Sequence, residues 1–348
     1  MTDRGGAFHP IVELTLARLR DVLREPEAVF WVFVFPILLA IGLGVAFPSR
    51  ADQPVPIGLV EGPGQEATRA ALNASPSVRL RMIDRATADI ALRDGVVQLV
   101  VIPGVPPTYR FDPTRAESRL ARLLADEALQ RAAGRADAWE AREERVVAPG
   151  SRYVDWLVPG LVGMNVMGTG LWMVGYSVVQ ARAKRLLRRL VASPMRRGHY
   201  LLSHLLARLV FLIGEVGVLL LFARLALGMP MRGSIAMLAA VVLLGAIAFG
   251  GLGLLMASRA KTVEAASGLI NAATLPMWVF SGVFFSAANF PAPAQPFIQA
   301  LPLTALNDAL RAVLLDGAGP AAIGVEAAIL GVWTVVTFAV ALRIFRWE

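Results

Sequence analysis

The hydrophobic blocks of this 348-residue chain come in an uneven order: one at residues 28–47, then a polar stretch to residue 155, then five more at 156–180, 205–228, 234–257, 265–286 and 321–345. A block of about 20 apolar residues crosses a bilayer as a helix, because inside hydrocarbon the backbone must satisfy its own N–H and C=O groups. The order predicts a mainly α, polytopic membrane protein with six transmembrane helices and an inserted polar domain. Composition agrees, since 56% of residues are hydrophobic and only 17% charged, outside the range of ordinary soluble domains.

Residues 1–27 contain IVELTLARLRDVLREP, in which Val12, Leu16, Leu19 and Leu23 recur at helical spacing opposite Glu13, Arg20 and Arg24. This reads as an amphipathic helix on the cytoplasmic membrane surface. Residues 28–47 start too late and run too long for a signal peptide and are expected to stay as the first span. Pro36 within that span frees a carbonyl, which a neighbouring helix is expected to satisfy, with a kink as the result.

The stretch 48–155 alternates strand-like and helical segments: VPIGLVEG, EATRAALNA, VRLRMI, ATADIALRDG, VVQLVVIP, TYRFDP and then TRAESRLARLLADEALQRAAGRADAWE. That alternation predicts an α/β domain. In the last helix Leu120, Leu123, Leu124 and Leu129 are expected to form the apolar stripe. The domain contains no phosphate loop and no nucleophile elbow, so packing or gating is its expected role.

Charge sets the orientation. The formal net charge is +8, yet residues 48–155 hold fifteen arginines against fifteen acids, so the excess lies in the membrane half. Residues 181–204 carry Arg182, Lys184, Arg185, Arg188, Arg189, Arg196 and Arg197 with no acid. By the positive-inside rule this loop is cytoplasmic, along with Arg259, Lys261, Arg343 and Arg346. Both termini then lie in the cytoplasm and 48–155 outside it. Such basic clusters mark orientation, so no nucleic-acid partner is expected. Residues 291–316, interrupted by prolines, are expected to form short, partly re-entrant helices at the outer face within the five-helix domain 156–348.

Ionisable residues inside spans are functional candidates. Glu215 sits near the middle of the third span, and Arg208, seven residues earlier, is too far along the helix for an ordinary direct pair. Glu215 is therefore expected to meet a polar group on another span. Glu264 and Glu326 fall near span ends. His9, His199 and His204 stand among basic residues without acids, so no metal site is expected, and the absence of cysteine excludes thiolate sites and disulfides.

The chain resembles the membrane subunit of a bacterial type-2 ABC exporter, on REPEAVFWVFVFP at the first span, ARAKRLLRRLVASPMRRGHYLLSHLLARL in the cytoplasmic loop, and PMWVFSGVFF with ALPLTALNDALRAVLLDG near the end. The resemblance implies an ABC transporter permease of the inner (plasma) membrane. It would work as a homodimer or heterodimer, with a separate ATPase subunit that uses ATP and Mg; no cofactor is expected on this chain. In agreement, the chain holds no G-x-x-x-x-G-K-[ST] loop, and no catalytic residue is assigned.

The resemblance further implies a coupling helix at 182–193, involving Arg182, Arg185, Leu186, Leu187, Arg189, Leu190, Ser193 and Pro194. On a helix, Ala183, Leu186, Leu187 and Leu190 would fall as an apolar stripe beside a basic face. Relatives often carry a Gly-Thr and an acid there, which this chain lacks, and the same stretch also reads as an anchor for anionic lipid. The implied pathway is lined by Met164, Asn165, Met167 and Trp172 on the second span and by Asn271, Thr274, Met277, Trp278 and Phe280 on the fifth. Such a surface suits an amphipathic or lipid-like substrate. These residues also read as helix packing, with Gly160, Gly163 and Gly168 allowing close approach. An ion-driven secondary transporter is the rival function, and a membrane sensor with an outer domain is a weaker one.

Overall fold

Apolar length and polar insertion divide the chain physically as well as in sequence. In the computed structural model, residues 10–47, 53–136, 139, 150, 152–183, 197–260 and 262–344 are described. Two compact units result, Ser49–Val146 and the remainder of the chain.

Within Ser49–Val146, the strands are β1 (Val55–Val60), β2 (Val78–Ile83), β3 (Leu99–Ile102) and β4 (Thr108–Arg110), in the order β2-β1-β3-β4. β1 runs parallel to β2 and β3, and β4 is antiparallel to β3. Side chains alternate across β1, as the pleat requires. Ile57 and Leu59 pack with Leu72, Leu99, Val101, Ala121 and Ala125, whereas Val60 packs with Ala88, Val97 and Val100 on the other face. The long closing helix, Ala116–Ala132, buries Ser118, Ala121 and Ala125. The expected leucine stripe is thus corrected: Leu124 and Leu129 pack against the core, while Leu120 and Leu123 are exposed. Small residues at i, i+3 and i+7 let this helix lie close to the sheet, which turns its larger side chains outward.

The second unit is helical. Its elements are α1 (Pro10–Leu23), a first apolar helix made of Pro26–Val29, a π-helical segment Phe30–Val34 and α2 (Phe35–Ala46), then α3 (Tyr153–Ala183), α4 (Arg197–Leu225), α5 (Ile235–Arg259), α6 (Val263–Phe280), α7 (Gln295–Gln299), α8 (Pro302–Arg311) and α9 (Gly324–Ile344). Four described helices are long and apolar enough to cross a membrane: Tyr153–Gln180, Leu206–Leu225, Ile235–Arg259 and Pro320–Ile344. The other two expected blocks are helical but fall short by that measure. Phe30–Ala46 is shorter, and α6, with 18 residues, carries Glu264 and Asn271. Residues 291–316 contain α7, α8 and a π-helical segment Ala312–Asp316 rather than a further span.

α3 is the central helix. In its apolar window 78% of residues are buried, against 17% for α9, which lies at the periphery. α3 and α5 pack at glycines: a Cβ on Gly170 would sit 2.7 Å from Phe249 Cβ, and one on Gly253 would sit 2.9 Å from the Leu171 carbonyl. Of the glycines expected to allow close approach, Gly160 and Gly163 do so, but Gly168 has nothing within 4 Å. α1 packs along α4, yet Val12, Leu16 and Leu23 remain exposed.

One contact in the sheet unit yields a pH test. Tyr109 donates a hydrogen bond to Asp126 Oδ1 at 3.2 Å. Burial first, and then the Asp126 charge, push its phenol from the ordinary 10.0 up to about 12. The unfolded phenol ionises at the lower value, so the stability from this contact is fully present below about pH 10 and is lost as pH rises toward 12. An absorbance titration of tyrosinate in the full chain should show a late step that Tyr109→Phe removes. A Tyr109 step at the ordinary value would contradict the contact.

Candidate functional site

The polar residues on α3 define the most constrained part of the helical unit. Asn165, one turn before Thr169, donates through Nδ2 to the Val32 carbonyl at 3.0 Å. Val32 lies four residues before Pro36. In a regular α-helix the N–H of residue 36 would donate to that carbonyl, and proline has none. The Asn165 amide supplies the donor from another helix, and the π-helical segment Phe30–Val34 absorbs the local change in winding.

Thr169 joins α3 to α4. Its hydroxyl has one proton to share between the Asn165 carbonyl at 2.8 Å and Glu215 Oε1 at 3.0 Å, and it accepts from Arg208 Nη2 at 2.8 Å. Arg208 Nη1 lies 3.9 Å from Glu215 Oε1 and 3.3 Å from Met173 Sδ. Glu215 thus meets a polar group on another helix, as expected. The expectation that Arg208 lies too far away is corrected: two turns separate the backbones, but the long guanidinium reaches across and Thr169 fills the remaining gap. The Glu215 side chain is wholly buried and its Oε2 has no partner. A buried ion pair bridged by a hydroxyl suits holding helices in register, since losing one member strands the other charge. Among the described residues no group of three or more His, Asp or Glu could hold a metal.

The residues assigned to a pathway divide by exposure. Met164, Asn165 and Met167 are buried among helices of their own chain, and Trp172 is half-buried against the same core. On α6, Thr274 and Met277 are buried and Trp278 is half-buried, whereas Asn271 and Phe280 are exposed. With Leu269, Leu275 and Val279, also exposed, they give α6 an apolar outward face bearing one amide. Of the coupling residues, Arg182 lies in the last turn of α3 as described, and Arg185, Leu186, Leu187, Arg189, Leu190, Ser193 and Pro194 lie outside the described residues.

Sequence reasoning passed over Thr169 and Arg311. Nothing local marks Thr169, because its role depends on which helix stands beside it. Arg311 carried a readable signal, a basic residue inside the apolar run ALRAVLL, and it is 7% exposed.

A valine at 169 keeps the shape but removes the hydroxyl, leaving Arg208 and Glu215 each short of a partner. Thr169→Val is expected to cost about 1–3 kcal/mol, while Thr169→Ser keeps the bridge and costs less. Thermal unfolding of the purified chain in detergent reads both, and equal losses would show that the hydroxyl is not the tie.

Residues 124–315, more than half of the chain, match the family described as ABC-2 type transporter. A stretch of 171 residues, 49% of the chain, is 27% identical to ABC transporter G family member 20 of Dictyostelium discoideum. It covers 23% of that protein, so the chain spans less than a quarter of the length of the curated relative it matches.

Proposed function

We propose, since this chain belongs to the ABC-2 type transporter family and is a transmembrane component of an ABC transporter, that it is the permease subunit of an ATP-driven exporter. It works as a dimer and draws its power stroke from an ATPase subunit that binds ATP and Mg. The observation that carries this reading is the family match over 124–315, which runs from the end of the sheet unit through α3, α4, α5, α6 and α8.

The uncovered face of α6 supports the dimer. It presents Leu269, Asn271, Leu275 and Val279 away from its own chain, with Phe280 half-covered by the Phe290 ring at its end, and a helix with one amide among apolar residues suits a second permease subunit across a pathway better than lipid alone. An apolar wall with sparse polar groups suits an amphipathic or lipid-like substrate. In this reading Phe30–Ala46 and α6 cross the membrane with the four longer helices, making six spans. The basic residues of 181–204 put that loop and both termini in the cytoplasm, with the sheet unit outside. The membrane is then a bacterial plasma membrane, and Arg182 to Pro194 form the contact with the ATPase.

If Leu186, Leu187 and Leu190 dock in a cleft on the ATPase, each fully buried side chain contributes roughly 1.5–3 kcal/mol of apolar burial. Replacing all three with Ala is then expected to weaken copurification of the ATPase and to uncouple its hydrolysis, while the remaining arginines keep the orientation. The chain purified alone is expected to show no hydrolysis. Unchanged assembly of the triple variant would reduce this stretch to a lipid anchor. Flux driven solely by an ion gradient would establish a secondary transporter instead.

A further inference from the structure

Two of the sequence stretches that carry the family resemblance, PMWVFSGVFF and ALPLTALNDALRAVLLDG, meet each other at one end of α6. The helix stops at Phe280, and after the Ser281 N–H, which donates to the Met277 carbonyl at 3.0 Å, the helix provides no further amide for the carbonyls that follow. Gly282, at φ +70°, turns the chain away. Two side chains from α8 close this end. Asn307 Nδ2 donates to the Ser281 carbonyl at 2.9 Å, and the Arg311 guanidinium donates to the Gly282 carbonyl. Arg311 also pairs with Asp308 Oδ1 at 3.2 Å, and its Cζ lies 3.5 Å from the centre of the Trp156 ring on α3.

α3 is shaped to admit these groups. A Cβ on Gly163 would collide with Asn307 Oδ1, and one on Gly160 would lie 2.7 Å from the Val283 carbonyl and 3.3 Å from Arg311 Nη2. Asn307 is fully buried and Arg311 nearly so. Burying an arginine is unfavourable unless the charge is answered. Here it is answered by a carboxylate, a ring face and the negative end of a helix dipole. Two helices, α3 and α8, thus converge on the end of a third, α6, whose outward face carries Asn271.

We propose that Asn307 and Arg311 are positioning residues of the transport pathway, which cap α6 from α8 and so fix where its Phe280 end stands. This rests on the reading of the exposed α6 face as part of that pathway. Without the cap, α6 keeps its helix but its end is free to move away from α3 and α8.

The chain has no native cysteine, so spin labels can be placed through Leu243→Cys on α5 and Leu275→Cys on α6, both exposed. The labelled chain, diluted with unlabelled chain in lipid nanodiscs, reports the intrachain distance by pulsed electron resonance. A single narrow distance is expected for the otherwise unmodified chain. Arg311→Gln and Asn307→Ala are expected to add a second, separated population. Arg311→Lys keeps one charged donor to the Gly282 carbonyl and should shift fewer molecules. Asn307→Ala retains the buried charge and serves if Arg311→Gln does not fold. A lowered melting temperature with an unchanged distance in the folded variants would overturn the proposal, because the side chains would then stabilise without positioning. The measurement needs neither ATPase nor substrate. A shifted distance with failed ATPase assembly counts against the exporter reading alone, whereas an unshifted distance with intact assembly counts against the positioning role alone.

Discussion

A backbone carbonyl without a donor is what organises the helical unit. In water such a group would find a solvent partner, but in the hydrocarbon of a membrane it must find one in the protein. Pro36 creates the deficit at Val32, and the Asn165 amide from α3 meets it. The chain leaving α4 creates it at Leu227 and Gly228, where Arg152 donates to both carbonyls while pairing with Asp155 at 2.7 Å. The end of α6 creates it at Ser281 and Gly282, where Asn307 and Arg311 answer. In each case a side chain from a different segment of the chain supplies what the helix cannot, so the deficits decide which segments meet and at what height.

Arg152 and Arg311 solve the same problem by the same means. Each guanidinium donates to the chain just after a helix end, and each is held by a carboxylate three residues away on its own segment. A guanidinium suits this work because its planar fork reaches two acceptors at once and keeps its charge. Lipid tails provide no hydrophobic drive between helices. Close approach at Gly170 and Gly253 and these polar ties therefore carry specificity that apolar area alone does not.

Helix existence was legible in the sequence because apolar length and periodicity are local properties. The alternation from VPIGLV to TYR was legible for the same reason, and those residues do form β1 to β4. Orientation between elements was not. Leu120 and Leu123 look like core in a helical stripe, but Ala121 and Ala125 let that helix approach the sheet on another face. Arg208 and Glu215 look too distant until Thr169 stands between them. These misses share a cause: a side chain's task inside a bundle depends on the neighbouring helix, and spacing along one helix does not reveal that neighbour.

The most direct test of this account is a double-mutant cycle on Asn165 and Pro36, read by reversible unfolding of the chain in mixed micelles. With Pro36 present, Asn165→Ala removes the side-chain donor to the Val32 carbonyl and is expected to cost about 1–3 kcal/mol. In the Pro36→Ala background the restored N–H of residue 36 can serve that carbonyl, and the same Asn165→Ala change is expected to cost much less. An equal cost in both backgrounds would contradict the claim that an unanswered carbonyl sets the contact between the first apolar helix and α3.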